Sequence, residues 1–305
     1  MSTRWLVTGA AGMLGRDLVT VLENEGDEVT ALGRADLDIT DPAAVRAAVR
    51  GHRVVVNCAA WTDVDGAESA EAAATAVNGD GARNLAAACA AEGARLLQVS
   101  TDYVLPGDAT EPYPETAATA PVNAYGRSKL AGERAVLELL PENGYVVRTA
   151  WLYGEHGPNF VATMLKLAAQ RPALDVVDDQ HGQPTWSRAL ARQLAALGRS
   201  ADAPAGVYHG TAAGRTTWHG LAREAYRLAG LDPERIRTTT SAAFVRPAVR
   251  PAFSVLGHDR FAAAGLAPQA DWRAQLEEAM ATPAFAALAA AARTSVPAAE
   301  DGGTR

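Results

Sequence analysis

Residues 5–15 read Trp5-Leu6-Val7-Thr8-Gly9-Ala10-Ala11-Gly12-Met13-Leu14-Gly15, and this stretch decides the fold. Its first four residues are apolar or β-branched, as a short buried strand requires. A glycine-rich turn follows at once, and the pattern over 14–25 is helical. Small residues at Gly9, Gly12 and Gly15 allow a tight turn that brings backbone N–H groups against an anion. The positive end of the helix dipole favours the same charge. Three glycines alone mark any turn. Between the first strand and first helix of a βαβ unit, they mark a dinucleotide pyrophosphate site.

Outward from this unit the alternation continues. Short apolar runs at 28–32, 54–58, 95–100 and 144–149 read as buried strands. Helical patterns lie between them at 41–50, 68–92 and 129–140, the first opening Thr40-Asp41-Pro42 with an N-cap and a first-turn proline. Strand–helix alternation implies right-handed crossovers and a parallel sheet. The expected fold is α/β, a Rossmann-type doubly wound parallel sheet with a smaller mixed α/β substrate lobe. After Tyr153 the alternation fails: a helix at 159–170, a loop at 176–186, a helix at 188–197, a strand at 206–210 and a helix at 218–229. The expected division is 1–154 with 186–213 for the dinucleotide-binding domain and 155–185 with 214–294 for the substrate lobe. Residues 295–305 read as a flexible tail.

Composition narrows the function. With 48% hydrophobic and 21% charged residues among 305, the chain can bury a full core. A net charge of −7 argues against a nucleic-acid or acidic-membrane surface. Cys58 and Cys89 have no metal-ligand spacing and read as core thiols. No apolar run is long enough to span a membrane and the N-terminus is no signal peptide, so a soluble, cytoplasmic protein is expected. Lysine occurs only at Lys129 and Lys166. Where arginine otherwise supplies the cations, a retained lysine invites a chemical reason.

The second strand closes at Gly33-Arg34, with Asp36 and Asp38 beyond. An acid here suits the ribose diol of NAD and an arginine the 2′-phosphate of NADP. Arg34 favours NADPH; a solvated loop arginine is the plain alternative. The strongest constellation is Ser100-Thr101-Asp102-Tyr103 at a strand end, with Tyr125-Gly126-Arg127-Ser128-Lys129 opening a helix. Tyrosine and lysine four residues apart share a helix face. A cation beside a phenol draws its pKa down from about 10 toward the working range. Read alone, the pair also fits a half-buried tyrosine with a snorkelling lysine.

With these motifs the chain resembles the extended short-chain dehydrogenase/reductases, and within them the dTDP-4-dehydrorhamnose reductase family, from residue 5 to about 280. Further matching segments are Asp38-Ile39-Thr40, Asn57-Cys58-Ala59-Ala60-Trp61-Thr62-Asp63-Val64-Asp65, Val77-Asn78, and Arg148-Thr149-Ala150-Trp151-Leu152-Tyr153-Gly154. Asp178-Asp179-Gln180-His181-Gly182-Gln183-Pro184-Thr185 and Arg250-Pro251-Ala252-Phe253-Ser254-Val255-Leu256 complete the set. The resemblance implies that Gly9, Gly12, Met13, Leu14 and Gly15 hold the pyrophosphate and that Asp38 and Ile39 lie by the adenine. It sets Ala59, Ala60, Trp61 and Thr62 along the cofactor and Lys129 at the nicotinamide ribose. Thr101, Asp102, Tyr103 and Arg250 would hold the sugar, and Trp151 would wall its pocket, although tryptophan alone reads equally as core. Tyr125 would give its proton to the C4 oxygen as hydride arrives, with Thr101 sharing that oxygen.

The implied substrate is a dTDP-4-keto-6-deoxysugar, dTDP-4-dehydrorhamnose first, and the implied cofactor NADPH, with NADH also usable. Some members form a Mg²⁺-bridged dimer through one acid just after the third glycine and another just after the Pro-Thr of the long loop. Here Asp17 supplies the first, but Arg188 stands where the second is needed, and a cation cannot ligate Mg²⁺. No metal is therefore expected, and a monomer or weak homodimer is. Sugar-nucleotide dehydratases carry Asp-Glu after the strand-end threonine, whereas this chain has Asp102-Tyr103. A reductase of another dTDP-4-keto-deoxysugar, or a non-catalytic NADP-binding regulatory subunit of the same fold, remains as the alternative.

Overall fold

The core is a six-stranded parallel sheet, in order β2 (Glu28–Leu32), β1 (Arg4–Thr8), β3 (Val54–Asn57), β4 (Arg95–Thr101), β5 (Gly144–Thr149) and β10 (Gly206–His209). The computed structural model describes residues 3–294, so the tail expected over 295–305 lies outside the described residues. β1, β3, β4 and β5 are almost wholly buried, as strands covered on both faces must be. The chain runs outward from β1 to β2, then returns across β1 to β3. The strand order reverses between β1 and β3, and the crevice beyond their carboxyl ends is where α/β sheets bind ligands.

Helices cover both faces. α1 (Met13–Asn24) and α8 (Ser187–Arg199) pack on one, with Leu18, Leu22, Leu190 and Leu194 against Trp5, Val7, Val56 and Val147. α2 (Pro42–Val49), α5 (Gly81–Glu92) and α6 (Ala124–Leu139) cover the other, burying Val45, Leu85 and Val136 against Leu6, Val55 and Val146. Each face of every central strand thus meets its own core, in the period-2 alternation of a pleated strand.

The helix expected over 68–92 is broken. α3 (Val64–Ser69) and α4 (Glu71–Thr75) are separated by Ala70, and a π turn, Ala76–Asp80, intervenes before α5. Asn78 in that turn is buried and bonded away from its helix, which is how a π bulge recruits a side chain to a site. α6 begins at Ala124, five residues before the expected start. Asn123 is its N-cap, its Oδ1 accepting the Gly126 N–H at 2.8 Å.

The smaller lobe is built on α7 (Phe160–Ala168), α9 (Trp218–Leu228), α11 (Trp272–Met280) and α12 (Pro283–Thr294). They enclose Val161, Leu165, Tyr226, Leu276 and Phe285. The stretch expected as a loop over 176–186 carries short strands instead. β7 (Leu174–Val177) pairs in parallel with β12 (Ile236–Thr239), β8 (His181–Gly182) pairs with β11 (Thr216–Thr217), and β9 (Thr185–Trp186) pairs with β6 (Leu152–Tyr153). The last pair ties the lobe to the end of β5. α10 (Asp259–Ala263), expected within the lobe, packs on the sheet, where Phe261 is buried against Tyr208.

Candidate active site

Gly9 ends β1 with φ +65°, and a Cβ there would lie 2.5 Å from the Ala59 nitrogen. Only glycine allows this contact, and it brings the first turn against the loop after β3. Gly12 is the N-cap of α1 but has no side chain to cap with, and the first turn carries no acid. The first N–H groups of a 12-residue helix therefore face the crevice without a side-chain partner, which fits a pyrophosphate.

The β2 end and the next loop carry the remaining expected cofactor residues. Arg34 is exposed, and the Asp36 carboxylate folds back to accept the Gly33 N–H at 2.9 Å. Asp38 is an exposed carboxylate held below its ordinary pKa by the Thr40 N–H and hydroxyl. Ile39 is a core residue whose side chain lies over Gly81. Trp61 and Tyr125 pack on the same small cluster of Ala67, Ala74 and Ala124. Asn78 pins this corner, accepting the Trp61 N–H at 2.9 Å and donating to the Trp61 carbonyl and the Ser128 hydroxyl. Ser128 in turn donates to the Tyr125 carbonyl at 2.7 Å. Neither Asn78 nor Ser128 was singled out from the sequence, although Val77-Asn78 stood among the matching segments.

At the end of β4, Thr101, Asp102, Tyr103 and Tyr125 converge. The Thr101 hydroxyl donates to Asp102 Oδ1 at 2.9 Å and accepts the Tyr103 N–H at 3.2 Å. The Tyr103 and Tyr125 rings meet edge to face, 5.9 Å between centroids. Burial pushes the Tyr125 phenol up to about 12; the Asp102 charge adds to this and a hydrogen bond with Thr101 pulls back. Asp102 is 2% exposed, and burial lifts its carboxyl to about 6, with the nearby Ser254 and Thr101 hydroxyls pulling it back. Its Oδ2 has no hydrogen-bond partner, an orphaned acceptor in a buried site.

Lys129 is placed one turn beyond Tyr125, as expected, but its ammonium donates to the Val99 carbonyl at 2.7 Å. Burial draws it down to about 8. The expected lowering of the tyrosine by the lysine is not found: burial and the Asp102 charge raise the phenol, and the opposing influence is the Thr101 hydrogen bond. Arg250 binds Asp65 with two hydrogen bonds of 3.0 Å, close enough to Tyr103 for its charge to bear on that ring. Trp151 has φ 48°, the only non-glycine positive φ among the described residues. A bulky residue holds such a conformation only when its surroundings impose it, and sites are where this happens. Its ring stacks on Trp218 of the smaller lobe, 3.6 Å between centroids and 8° apart, and Trp218 rests on Phe160.

Comparison with known proteins shows the family. Residues 3–284 match the family described as RmlD substrate binding domain. A dTDP-4-dehydrorhamnose reductase of Streptomyces griseus is 60% identical over 299 residues, 96% of this chain and 97% of that protein. A dTDP-4-keto-6-deoxy-D-glucose reductase of Streptomyces niveus is 54% identical, covering 92% of this chain and 97% of its own. The crystal structure of a dTDP-4-dehydrorhamnose reductase from Bacillus anthracis in complex with NADP aligns with a TM-score of 0.87 and 36% identity. It covers 92% of this chain and 99% of that one.

Proposed function

The chain belongs to the RmlD substrate binding domain family, and from that premise we propose that it reduces the 4-keto group of a dTDP-4-keto-6-deoxysugar, dTDP-4-dehydrorhamnose first, with NADPH. The observation that carries this is the convergence of Thr101, Asp102 and Tyr125 at the end of β4, over a lysine buried one turn along the same helix. NADPH, when bound, supplies the hydride. The glycine turn and the uncapped start of α1 would hold its pyrophosphate, and Arg34 its 2′-phosphate.

Tyr125 is the proton donor. A phenol held at about 12 keeps its proton at neutral pH and releases it only when the C4 oxygen becomes strongly basic, as it does on reduction. Thr101 lies within hydrogen-bond reach of Tyr125 and would share that oxygen. The orphaned Oδ2 of Asp102 accepts from a sugar hydroxyl, which orients the ring. Lys129 supplies positive charge beneath the donor, and Trp151 limits the pocket on the side of the smaller lobe.

The niveus relative supports a second reading, the same reaction on dTDP-4-keto-6-deoxy-D-glucose. NADPH oxidation followed with each sugar nucleotide tests both. Turnover with dTDP-4-dehydrorhamnose is expected, and cofactor binding without turnover on either would replace the reductase with a binding subunit. NADH is expected to work with a higher KM. Arg34→Ala should raise KM for NADPH by about five- to thirtyfold, the worth of a screened charge contact, and spare NADH. Equal losses for both cofactors would remove Arg34 from the site.

A further inference from the structure

Directly below the site lies a buried ion pair that the reaction above does not use. Glu133, one turn beyond Lys129 on α6, accepts from Arg148 Nε at 2.9 Å and Nη2 at 2.8 Å. Ser100 of β4 adds a third bond to the same carboxylate at 2.6 Å. Glu133 is 1% and Arg148 2% exposed. A buried pair of this kind gains little stability over an apolar replacement of similar volume, because both charges lose their hydration. Its value here therefore lies in position and charge.

Position follows from the partners. Ser100 adjoins Thr101, and Arg148 is its register partner on β5, so one carboxylate fastens α6 to both strands just where the site begins. The same fastening sets Lys129 Nζ against Val99 O and Tyr125 against Thr101. The charge argument runs through Lys129. The groups around it are Glu133 and Tyr125 on its own helix, Cys58 after β3, Asp102 after β4, and Arg148 on β5 behind Glu133, with His209 of β10 beyond. Glu133 opposes the loss of charge that burial imposes on Lys129. His209, beside Arg148, is held neutral, its pKa drawn down to about 3 by burial and by that guanidinium.

We propose that Glu133, locked by Arg148 and Ser100, is a positioning residue that seats α6 over β4 and sets a fixed counter-charge one turn from Lys129. The inference rests on the reading of Lys129 as the cation of the site, but its test does not need turnover. Lysine occurs only at Lys129 and Lys166, so protein labelled with ε-¹³C lysine gives two side-chain resonances whose titration NMR can follow. In Glu133→Gln, the Lys129 midpoint should fall by about one unit, the usual effect of losing an opposite charge close by. The melting temperature should fall too, since Arg148 is left buried without a counter-ion. Glu133→Gln with Arg148→Met removes that orphan and should restore the melting temperature, with the Lys129 midpoint recovering only in part because an opposing cation has gone as well. The basic limb of the kcat profile should move with the midpoint in both variants. A Lys129 midpoint in Glu133→Gln equal to the wild-type value would overturn the proposal and leave a purely structural ion pair.

Discussion

Tyr125 must arrive protonated if it is to donate, and desolvation keeps it so. Tyr125→Phe removes only that hydroxyl from a half-buried ring, so kcat should fall by about 10²–10⁴, the usual cost of a lost general acid, with NADPH affinity little changed. Turnover like the wild type would reassign the proton donor. Asp102 makes a second, thermodynamic statement. Its carboxyl titrates at about 6 in the folded chain against an ordinary 3.8. The unfolded chain therefore binds fewer protons between those values, and stability falls as pH rises from about 4 to 6. The contribution is about 2 to 3 kcal/mol at about 1.4 kcal/mol per unit. Asp102→Asn should flatten the dependence of melting temperature on pH in that window. A mutant as pH-sensitive as the wild type would show that the carboxyl is ionised throughout.

At the scale of elements, α6 decides whether the site exists. A Cβ at Gly126 would fall 2.2 Å from the Tyr103 carbonyl oxygen and 2.9 Å from Pro121. A main-chain carbonyl on one side and a rigid proline ring on the other prevent an easy escape. Gly126→Ala should cost about 1–3 kcal/mol as overpacking. It should also lower kcat more than tenfold, because the turn that moves carries Tyr125; an active, equally stable mutant would show that the helix has room. The expected helix start at 129 missed this turn, whose N-cap is Asn123, three residues before Gly126. The first βα unit and the parallel strands were legible, since buried strands read as unbroken apolar runs. The π turn at Asn78 was not: its neighbours are alanines and small residues compatible with any helix, and its register is set by Trp61 and Ser128, remote in sequence. β8, β9 and β11 were invisible because two-residue strands have no period. The pairing of Arg250 with Asp65 depends on a chain crossing that spacing cannot reveal.

For the whole molecule, the question is what joins one copy or one lobe to another. Arg188 binds Glu155 at 2.6 Å and stands 3.7 Å from Asp17, whose carboxylate also takes the Ser187 hydroxyl. The acids at that corner are thus neutralised within the chain. EDTA should change neither activity nor the elution volume on size exclusion, whereas a chelator-sensitive dimer would mean that the carboxylates serve a cation after all. Among the described residues no helix is long and apolar enough to cross a membrane. Within the chain, the lobes meet at the stacked indoles of Trp151 and Trp218. Two such chromophores at 3.6 Å and nearly parallel cannot absorb independently. Their transitions couple, and the sign and size of the resulting circular dichroism should follow the twist of one indole's transition moment against the other about the stacking axis. The protein thus carries a built-in optical gauge of how its two lobes are set, readable without any label.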